Sequence, residues 1–171
     1  MSAPAVDITS FEKATWNGFV RLFQFTQGEN LNFSRIPMTS PVLILTRFVP
    51  RSGPVESQGY HVSLYLPKKF QANPPVPLPE LNIKPYVFDS HCVAVRKFSE
   101  VATDERIVEE VDKILSKSQW KSKIEHDGYS IAQYYTPYSI EHEVWLDIPA
   151  RELGSDVTAA ACSRADAGNR Y

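Results

Sequence analysis

The sequence predicts one mixed domain of helices and strands that consists of two similar halves. Its 171 residues suit a single domain, because two domains would each be small. Hydrophobic periodicity gives the order helix, strand, strand in the first half and strand, helix, strand, strand in the second. Ser40-Pro41-Val42 resembles Thr136-Pro137-Tyr138, and each follows a helix and precedes a strand. These observations indicate a duplicated unit.

Residues 11–26 predict the helix of the first half, and its apolar surface is wider than one packing face requires. At about 100° per residue, one face carries Phe11, Ala14, Thr15, Gly18, Leu22 and Phe25. Trp16, Phe19, Val20 and Phe23 extend the apolar arc beyond that face. Packing on a sheet needs only one face. Either a loop or a neighbouring strand covers the additional face, or this face lines a ligand slot.

The rest of the first half predicts strands that are followed by a proline-rich connection. Residues 35–49 predict an extended segment, and residues 60–66 predict a strand because their apolar and polar positions alternate. Residues 67–85 are rich in proline and predict an extended loop that links the two halves. Pro74 and Pro77 also have the spacing of a proline-rich recognition motif, so a protein-interaction role is the alternative for this loop.

The second half begins with a strand that has no counterpart in the first half. The predicted elements are a strand at 91–98, a helix at 104–118, and strands at 129–135 and 142–148. Thr103 or Asp104 is the expected N-cap of the helix. Since no matching strand is predicted before the first helix, the first half is expected to lack one. Residues 151–171 show no periodicity and predict a disordered tail.

Composition and charge exclude several classes of protein. The formal net charge is −2 and the sequence pI is about 6.1, so the basic excess typical of nucleic-acid binding is absent. No apolar run reaches the roughly 18 residues of a membrane span, and the N-terminus lacks a signal-peptide pattern. A cytoplasmic protein is therefore expected. Cys92 and Cys162 lie too far apart in sequence to predict a disulfide framework or a zinc site, and Cys92 lies in an apolar strand, so an inert buried thiol is expected there.

The sequence also lacks the common catalytic motifs. It has no phosphate-binding loop, no nucleophile elbow and no HExxH motif, and its four histidines show no metal-ligand spacing. No catalytic or metal-binding residue is therefore predicted, and the protein is expected not to be an enzyme. The one cluster of carboxylates and histidine is Glu141-His142-Glu143. Paired carboxylates would suit a small-ligand hydrolase, whereas a charged turn that enters a strand is the simpler interpretation.

Six segments, in order along the chain, resemble the SOUL haem-binding family, and most closely its plant members. The segments are Gly18-Phe19 with Leu22-Phe23 and Gly28-Glu29-Asn30; Ile36-Pro37-Met38-Thr39-Ser40-Pro41-Val42; Val62-Ser63-Leu64-Tyr65-Leu66-Pro67; Phe70-Gln71-Ala72-Asn73-Pro74-Pro75; Val93-Ala94-Val95-Arg96-Lys97-Phe98; and Ile131-Ala132-Gln133-Tyr134 with Glu143-Val144-Trp145. The resemblance defines an expected domain at residues 7–148. The family usually begins with a strand that is not recognisable here.

The resemblance implies an α+β fold, in which a distorted antiparallel β-barrel of two pseudo-symmetric halves is flanked by two α-helices. It also implies non-enzymatic binding of haem or related tetrapyrroles in an apolar groove, as a carrier or buffer. By matching position, the groove lies between the helix at 11–26 and the loop at 136–142. A barrel without its first strand would expose an edge, which favours self-association.

The resemblance and the wide apolar arc together predict a set of cofactor-binding residues. The expected set is Lys13, Trp16, Phe19, Val20, Arg21, Phe23, Pro137, Tyr138, Ile140 and His142. The helix would supply the apolar slot, and the loop would close it. Lys13 and Arg21 border the arc and are expected to pair with the propionates of haem. His142 is the only histidine in the expected loop, so it is the one candidate for an axial ligand.

Overall fold

The computed structural model describes most of the first 148 residues and shows an α+β fold. The described residues are 1–5, 8, 10–46, 59–88, 92–117, 128–135 and 139–148. The elements are β1 (Ser2–Ala5), α1 (Phe11–Thr26), β2 (Val42–Thr46), β3 (Tyr60–Leu64), α2 (Lys68–Gln71), a 3-10 turn (Pro79–Leu81), β4 (Cys92–Phe98), α3 (Asp104–Lys117), β5 (Ser130–Tyr135) and β6 (Ile140–Ile148). Both long helices begin at the predicted residue. The expected tail at 151–171 lies outside the described residues.

The strands form one antiparallel sheet in the order β1-β3-β2-β5-β6-β4. The two halves join where β2 pairs with β5, with Ile44 opposite Ile131. Within the described residues this sheet is open, with β1 and β4 at its edges, so the expectation of a closed barrel is not confirmed. The α+β class is confirmed. Self-association through a sheet edge remains a prediction.

The expectation that the first half lacks a strand before its helix is wrong, because β1 occupies that place. It pairs with β3 over four residues, and Ala3 and Ala5 are buried against α1. Its outer edge is partly covered, since the backbone N–H of Ser2 donates to the carbonyl oxygen of Lys84 at 2.8 Å. The sequence Ser-Ala-Pro-Ala has no β-branched or aromatic residue, so packing specifies this strand and local propensity does not.

The hydrophobic core lies between one face of the sheet and the two long helices. A row of register partners on this face crosses all six strands: Ala3, Val62, Ile44, Ile131, Val144 and Arg96. At one end of the row, Gly18 of α1 meets Val62. At the other end, Arg96 forms an ion pair with buried Glu110 of α3. The two helices therefore cover the same face, one over each half.

Gly18 allows α1 to lie unusually close to the sheet. A Cβ atom at this position would stand 2.4 Å from Cγ2 and 2.5 Å from Cβ of Val62. No side chain fits into that space unless β3 or the helix moves. The close approach therefore fixes which side of α1 is buried, and Phe11, Leu22 and Phe25 on that side are almost completely enclosed.

Asp104 joins the N-termini of the two helices. The backbone N–H of Phe11 donates to Oδ1 of Asp104 at 3.0 Å, and the Tyr60 hydroxyl donates to the same oxygen at 3.1 Å. The N-cap of α1, Ser10, makes no side-chain capping bond, so a carboxylate from the second half replaces it. Burial and the nearby Asp104 carboxylate both raise the pKa of Tyr60.

Cys92 is half-buried in β4 and is disulfide-bonded. The expectation of an inert free thiol at this position is therefore wrong. Apolar neighbours along a strand do not distinguish a free cysteine from a disulfide-bonded one.

Gly18→Ala tests the close approach of α1 to β3. Replacing glycine by alanine within a helix normally stabilises by about 1 kcal/mol. Here we expect the free energy of unfolding to fall by about 1–3 kcal/mol, because the new Cβ overpacks the contact with Val62. Urea denaturation measures the change. Adding Val62→Ala should recover part of the loss, and Asn17→Ala on the exposed side should change stability by less than about 0.5 kcal/mol. Gly18→Ala with wild-type stability would contradict the packing.

Candidate functional site

The apolar arc of α1 is only partly covered by the rest of the protein. Trp16 is 70% exposed and Phe23 is 45% exposed, while Phe19 and Val20 are half-buried. The side chains of Phe19 and Phe23 are neighbours one turn apart, with ring centroids separated by 6.2 Å. Within the described residues, no strand or loop encloses Trp16 or Phe23. The ligand slot therefore remains a prediction.

Strands β5 and β6 bring two further apolar side chains from the second half to this arc. The ring centroid of Tyr135 lies 6.3 Å from that of Phe19. Tyr135 is the register partner of Ile140, so both side chains are on the helix-covered face of the sheet. Each is about half exposed. We call Trp16, Phe19, Phe23, Tyr135 and Ile140 the aromatic surface.

Tyr135 is a residue that the sequence analysis missed. It was assigned to a strand, and a strand residue gives no sign that it faces a helix from the other half. Ile140, which was expected in a loop, is the first residue of β6. Pro137 and Tyr138, which were expected to close the slot, lie outside the described residues. Val20 lies one turn beyond Trp16 and is half-buried at the rim of the aromatic surface.

His142 is buried in strand β6. It therefore belongs to the strand that periodicity predicts at 142–148, and its place in the loop at 136–142, which the resemblance implied, is wrong. Its ring stacks on Phe98 with centroids 5.0 Å apart, and it is the register partner of Gln133. Gln133 in turn accepts a hydrogen bond from the Tyr135 hydroxyl at 3.2 Å. The Nδ1 atom of His142 is buried and makes no hydrogen bond to any of the described residues. Burial lowers the pKa of this imidazole, because the charged form would be desolvated.

The two predicted cations lie in different environments. Lys13 is exposed on α1, one turn before Trp16. Arg21 is half-buried beside β1 and the 3-10 turn. Its Nη2 donates to the carbonyl oxygen of Pro4 at 2.6 Å, and its Nη1 donates to that of Leu81 at 3.4 Å. The structure therefore brings Lys13 to the side of the aromatic surface and uses Arg21 to hold α1 in place.

Glu141 and Glu143 lie on the face of the sheet opposite His142. Glu141 is exposed. Glu143 is buried, and its carboxylate accepts hydrogen bonds from Trp145 Nε1 at 2.9 Å and from the Tyr134 hydroxyl at 3.2 Å. The Nζ atom of Lys97 lies 3.1 Å from its other oxygen. Because both oxygens of Glu143 are bonded, this pair does not form an exposed acid and base.

Two features that the described residues lack bear on the class of site. No group of three or more histidine, cysteine, aspartate or glutamate residues in that part of the chain is arranged to hold a metal ion. Of the helices in the described ranges, none combines the length and apolar character needed to span a membrane.

Comparison with known proteins relates the chain to a family. The family model described as SOUL heme-binding protein matches residues 1–147. Human "Heme-binding protein 2" is 30% identical over 149 residues, which cover 83% of this chain and 70% of that protein. Mouse "Heme-binding protein 2" is 27% identical over 148 residues, which cover 82% of this chain and 69% of that protein. Xenopus tropicalis "Heme-binding protein 1" is 26% identical over 141 residues, which cover 80% of this chain and 72% of that protein.

The buried imidazole makes stability depend on pH. The usual pKa of histidine is 6.5, and burial lowers it in folded His142. Below about pH 6.5 the unfolded chain therefore binds more protons than the folded chain, and the free energy of unfolding falls as the pH drops. We expect His142→Gln to flatten this decline between about pH 7 and pH 5. Urea denaturation of both proteins across this range is the measurement, and equal slopes would contradict the assignment.

Proposed function

Since the chain belongs to the SOUL heme-binding protein family, we propose that it binds haem or a related tetrapyrrole on the aromatic surface, without catalysis, as a carrier or buffer. The observation that supports this site is the exposed apolar seam between α1 and the β5–β6 strands, where Phe19 lies beside Tyr135. The names of its relatives, human "Heme-binding protein 2" among them, support the ligand class.

The chemistry of the aromatic surface suits a flat apolar plate. A tetrapyrrole has two broad apolar faces and an edge that carries carboxylates. The ring centroids of Phe23 and Tyr135 lie 6.2 and 6.3 Å from that of Phe19. A macrocycle can pack on such rings. Burying this exposed apolar area contributes roughly 25 cal/mol per Å². Apolar contact therefore supplies most of the binding free energy, and Trp16, Val20 and Ile140 extend the contact.

The residues near the surface also fit an iron-containing ligand. Haem supplies an iron centre that accepts a nitrogen ligand, and His142 has a buried Nδ1 atom that is not hydrogen-bonded within the described part of the chain. Its ring is held by Phe98 and lies next to Gln133. We assign His142 as the candidate axial ligand, with a smaller contribution to affinity than the apolar surface, because it is enclosed within the fold. Pro137 and Tyr138 remain proposed closing residues.

Lys13 is the proposed partner of the ligand carboxylates. It is exposed and lies on the same side of α1 as Trp16. An exposed ion pair orients a ligand more than it binds it, since its contribution is about 0–1 kcal/mol. Arg21 was proposed for the same role, but its guanidinium already donates to carbonyl oxygens of β1 and the 3-10 turn. We therefore assign it to the position of α1.

The two alternative functions receive less support from the geometry. A hydrolase that uses Glu141 and Glu143 would need a carboxylate free to exchange a proton with a substrate, and that of Glu143 is bonded on both oxygens. A recognition motif around Pro74 and Pro77 would need an exposed polyproline segment. Here the backbone N–H of Leu31 donates to the carbonyl oxygen of Val76 at 2.8 Å, so the segment is already paired within the chain.

Substitutions in the aromatic surface test the ligand site. We expect Phe19→Asp or Phe23→Asp to lower haem affinity at least about tenfold, because a phenyl contact is lost and a carboxylate must be desolvated. His142→Ala should change the Soret spectrum or weaken binding modestly. Val108→Asp, at an exposed apolar position of α3, is the control and should bind as wild type does. Soret titration measures binding, and circular dichroism confirms folding. If His142→Ala abolishes binding while folded Phe19→Asp binds normally, the site is wrong.

A second pair of variants separates the two cations. Lys13→Glu should weaken haem binding by about two- to fivefold, as expected for an exposed ion pair, and leave stability unchanged. Arg21→Gln should lower the free energy of unfolding by about 1–2 kcal/mol, because carbonyl oxygens lose their donors. Haem affinity per folded molecule should stay close to wild type. Soret titration of both variants measures haem affinity, and urea denaturation measures the free energy of unfolding. If Arg21→Gln weakens haem binding and Lys13→Glu does not, Arg21 is the residue that pairs with the propionates.

A further inference from the structure

Two loop segments are joined at both ends next to the C-terminal end of α1. Residues 30–39 lead from α1 towards β2, and residues 65–78 follow β3. At one end, Asn30 bridges to Pro77, and the N–H of Leu31 donates to the carbonyl oxygen of Val76 at 2.8 Å. At the other end, the Thr39 hydroxyl donates to the carbonyl oxygen of Tyr65 at 2.5 Å. The segments therefore run side by side in opposite directions, and we call them the loop platform.

The loop platform holds large apolar side chains out in solvent. Phe33 is 85% exposed and Leu31 is 60% exposed, and Val76 beside Leu31 is also exposed. Phe33 has a φ of 50°, which is a strained conformation for a residue with a side chain. Strain of this kind persists only where the surroundings enforce it. Phe33 is therefore held outward by the fold of the loop.

Asn30 is the residue that fixes this conformation. It is completely buried. Its amide nitrogen donates to the carbonyl oxygens of Phe25 at 3.1 Å and Ser34 at 2.8 Å, and its side-chain oxygen accepts the N–H of Ser34 at 3.0 Å. These bonds close the turn on both sides of Phe33. A chain segment that only connected α1 to β2 would not need a buried asparagine to display a phenylalanine.

The charges of the loop platform are all of one sign. Residues 30–39 carry Arg35 as their one charged side chain, and residues 65–78 carry Lys68 and Lys69. Neither segment contains a carboxylate. Glu29, just before the first segment, accepts a hydrogen bond from the Gln24 amide at 3.3 Å. Arg35, Lys68 and Lys69 are exposed, in a chain whose net charge is −2.

We propose that the loop platform docks on the surface of a bilayer that contains anionic lipids. Projecting phenylalanine and leucine side chains can enter the headgroup region, where their apolar area is buried. Arg35, Lys68 and Lys69 complement the negative surface potential of such a membrane. Docking of this kind needs no membrane-spanning segment.

The position of the platform links it to the proposed ligand site. The Thr26 hydroxyl donates to Sδ of Met38 at 3.3 Å, so the platform meets α1 one turn from Phe23. A docked molecule would hold the aromatic surface near the membrane, where an apolar plate such as haem dissolves. This use of the docking rests on the proposed function, whereas the docking itself does not.

Vesicle flotation with the whole chain, without haem, tests the docking. The probes are vesicles of phosphatidylcholine alone and of phosphatidylcholine with phosphatidylserine. Wild type should float with the anionic vesicles, and added salt should weaken binding. Phe33→Gly should lower the partition coefficient about tenfold, since one apolar anchor is lost, without loss of stability because glycine accepts the positive φ. Lys68→Glu combined with Lys69→Glu should abolish the preference for anionic vesicles. Val101→Asp, at an exposed apolar position before α3, should change nothing.

The outcomes separate this inference from the proposed function. Phe33→Gly should bind haem in solution as wild type does, because Phe33 is not part of the aromatic surface. Wild type that floats with anionic vesicles but shows no Soret titration would overturn the proposed function and support docking. Wild type that binds haem but floats with neither vesicle overturns docking. An equal fall in the vesicle partition coefficient for Phe33→Gly and Val101→Asp would also overturn docking, because membrane binding would then not depend on the loop platform.

Discussion

The contact between Gly18 and Val62 is the constraint on which the rest of the site depends. A Cβ atom at Gly18 would stand 2.4 Å from the valine side chain, so only glycine lets α1 lie this low on β3. The distance of α1 from the sheet and its rotation about its own axis are coupled, because α1 can approach this closely only when Gly18 points at the sheet. With Gly18 pointing inward, Phe19 falls at the seam beside the helix and Trp16 points away from β3. The exposed apolar arc is thus a direct consequence of one missing methyl group.

The pairing of β2 with β5 brings apolar side chains of the second half beside the apolar arc of α1. The register sets Val42 opposite Gln133, and β5 continues two residues further to Tyr135, which meets Phe19. The proposed site therefore combines residues of both halves, and neither half could form it alone. Asp104 strengthens the same connection, because it starts α3 and caps the N-terminus of α1. A ligand on the aromatic surface would contact a junction that these interactions already hold together.

Local sequence patterns predicted the elements that carry their own periodicity, and they did not predict what depends on distant packing. The bounds of α1 and the excess apolar arc followed from spacing alone. Strand β1 was missed, because its Ser-Ala-Pro-Ala sequence has no strand preference and becomes a strand only between β3 and α1. Tyr135 was missed because its role depends on a register between the two halves. The resemblance put His142 at the end of a loop, whereas β6 begins two residues before it.

The charged residues that seemed most suited to chemistry mostly serve the fold. Arg21 satisfies backbone carbonyl groups, and Glu143 accepts bonds from three side chains on the opposite face of the sheet. A buried charge is costly unless it is paired or hydrogen-bonded. The polar atoms of these residues therefore already bind protein groups in the folded chain and are not free for a ligand. Near the proposed site, the described residues leave two features unsatisfied: exposed apolar area on α1 and the buried Nδ1 atom of His142. Binding free energy comes from groups that the folded chain leaves exposed or without a hydrogen bond. At the proposed site these are apolar side chains and one imidazole nitrogen, which suit a flat apolar ligand.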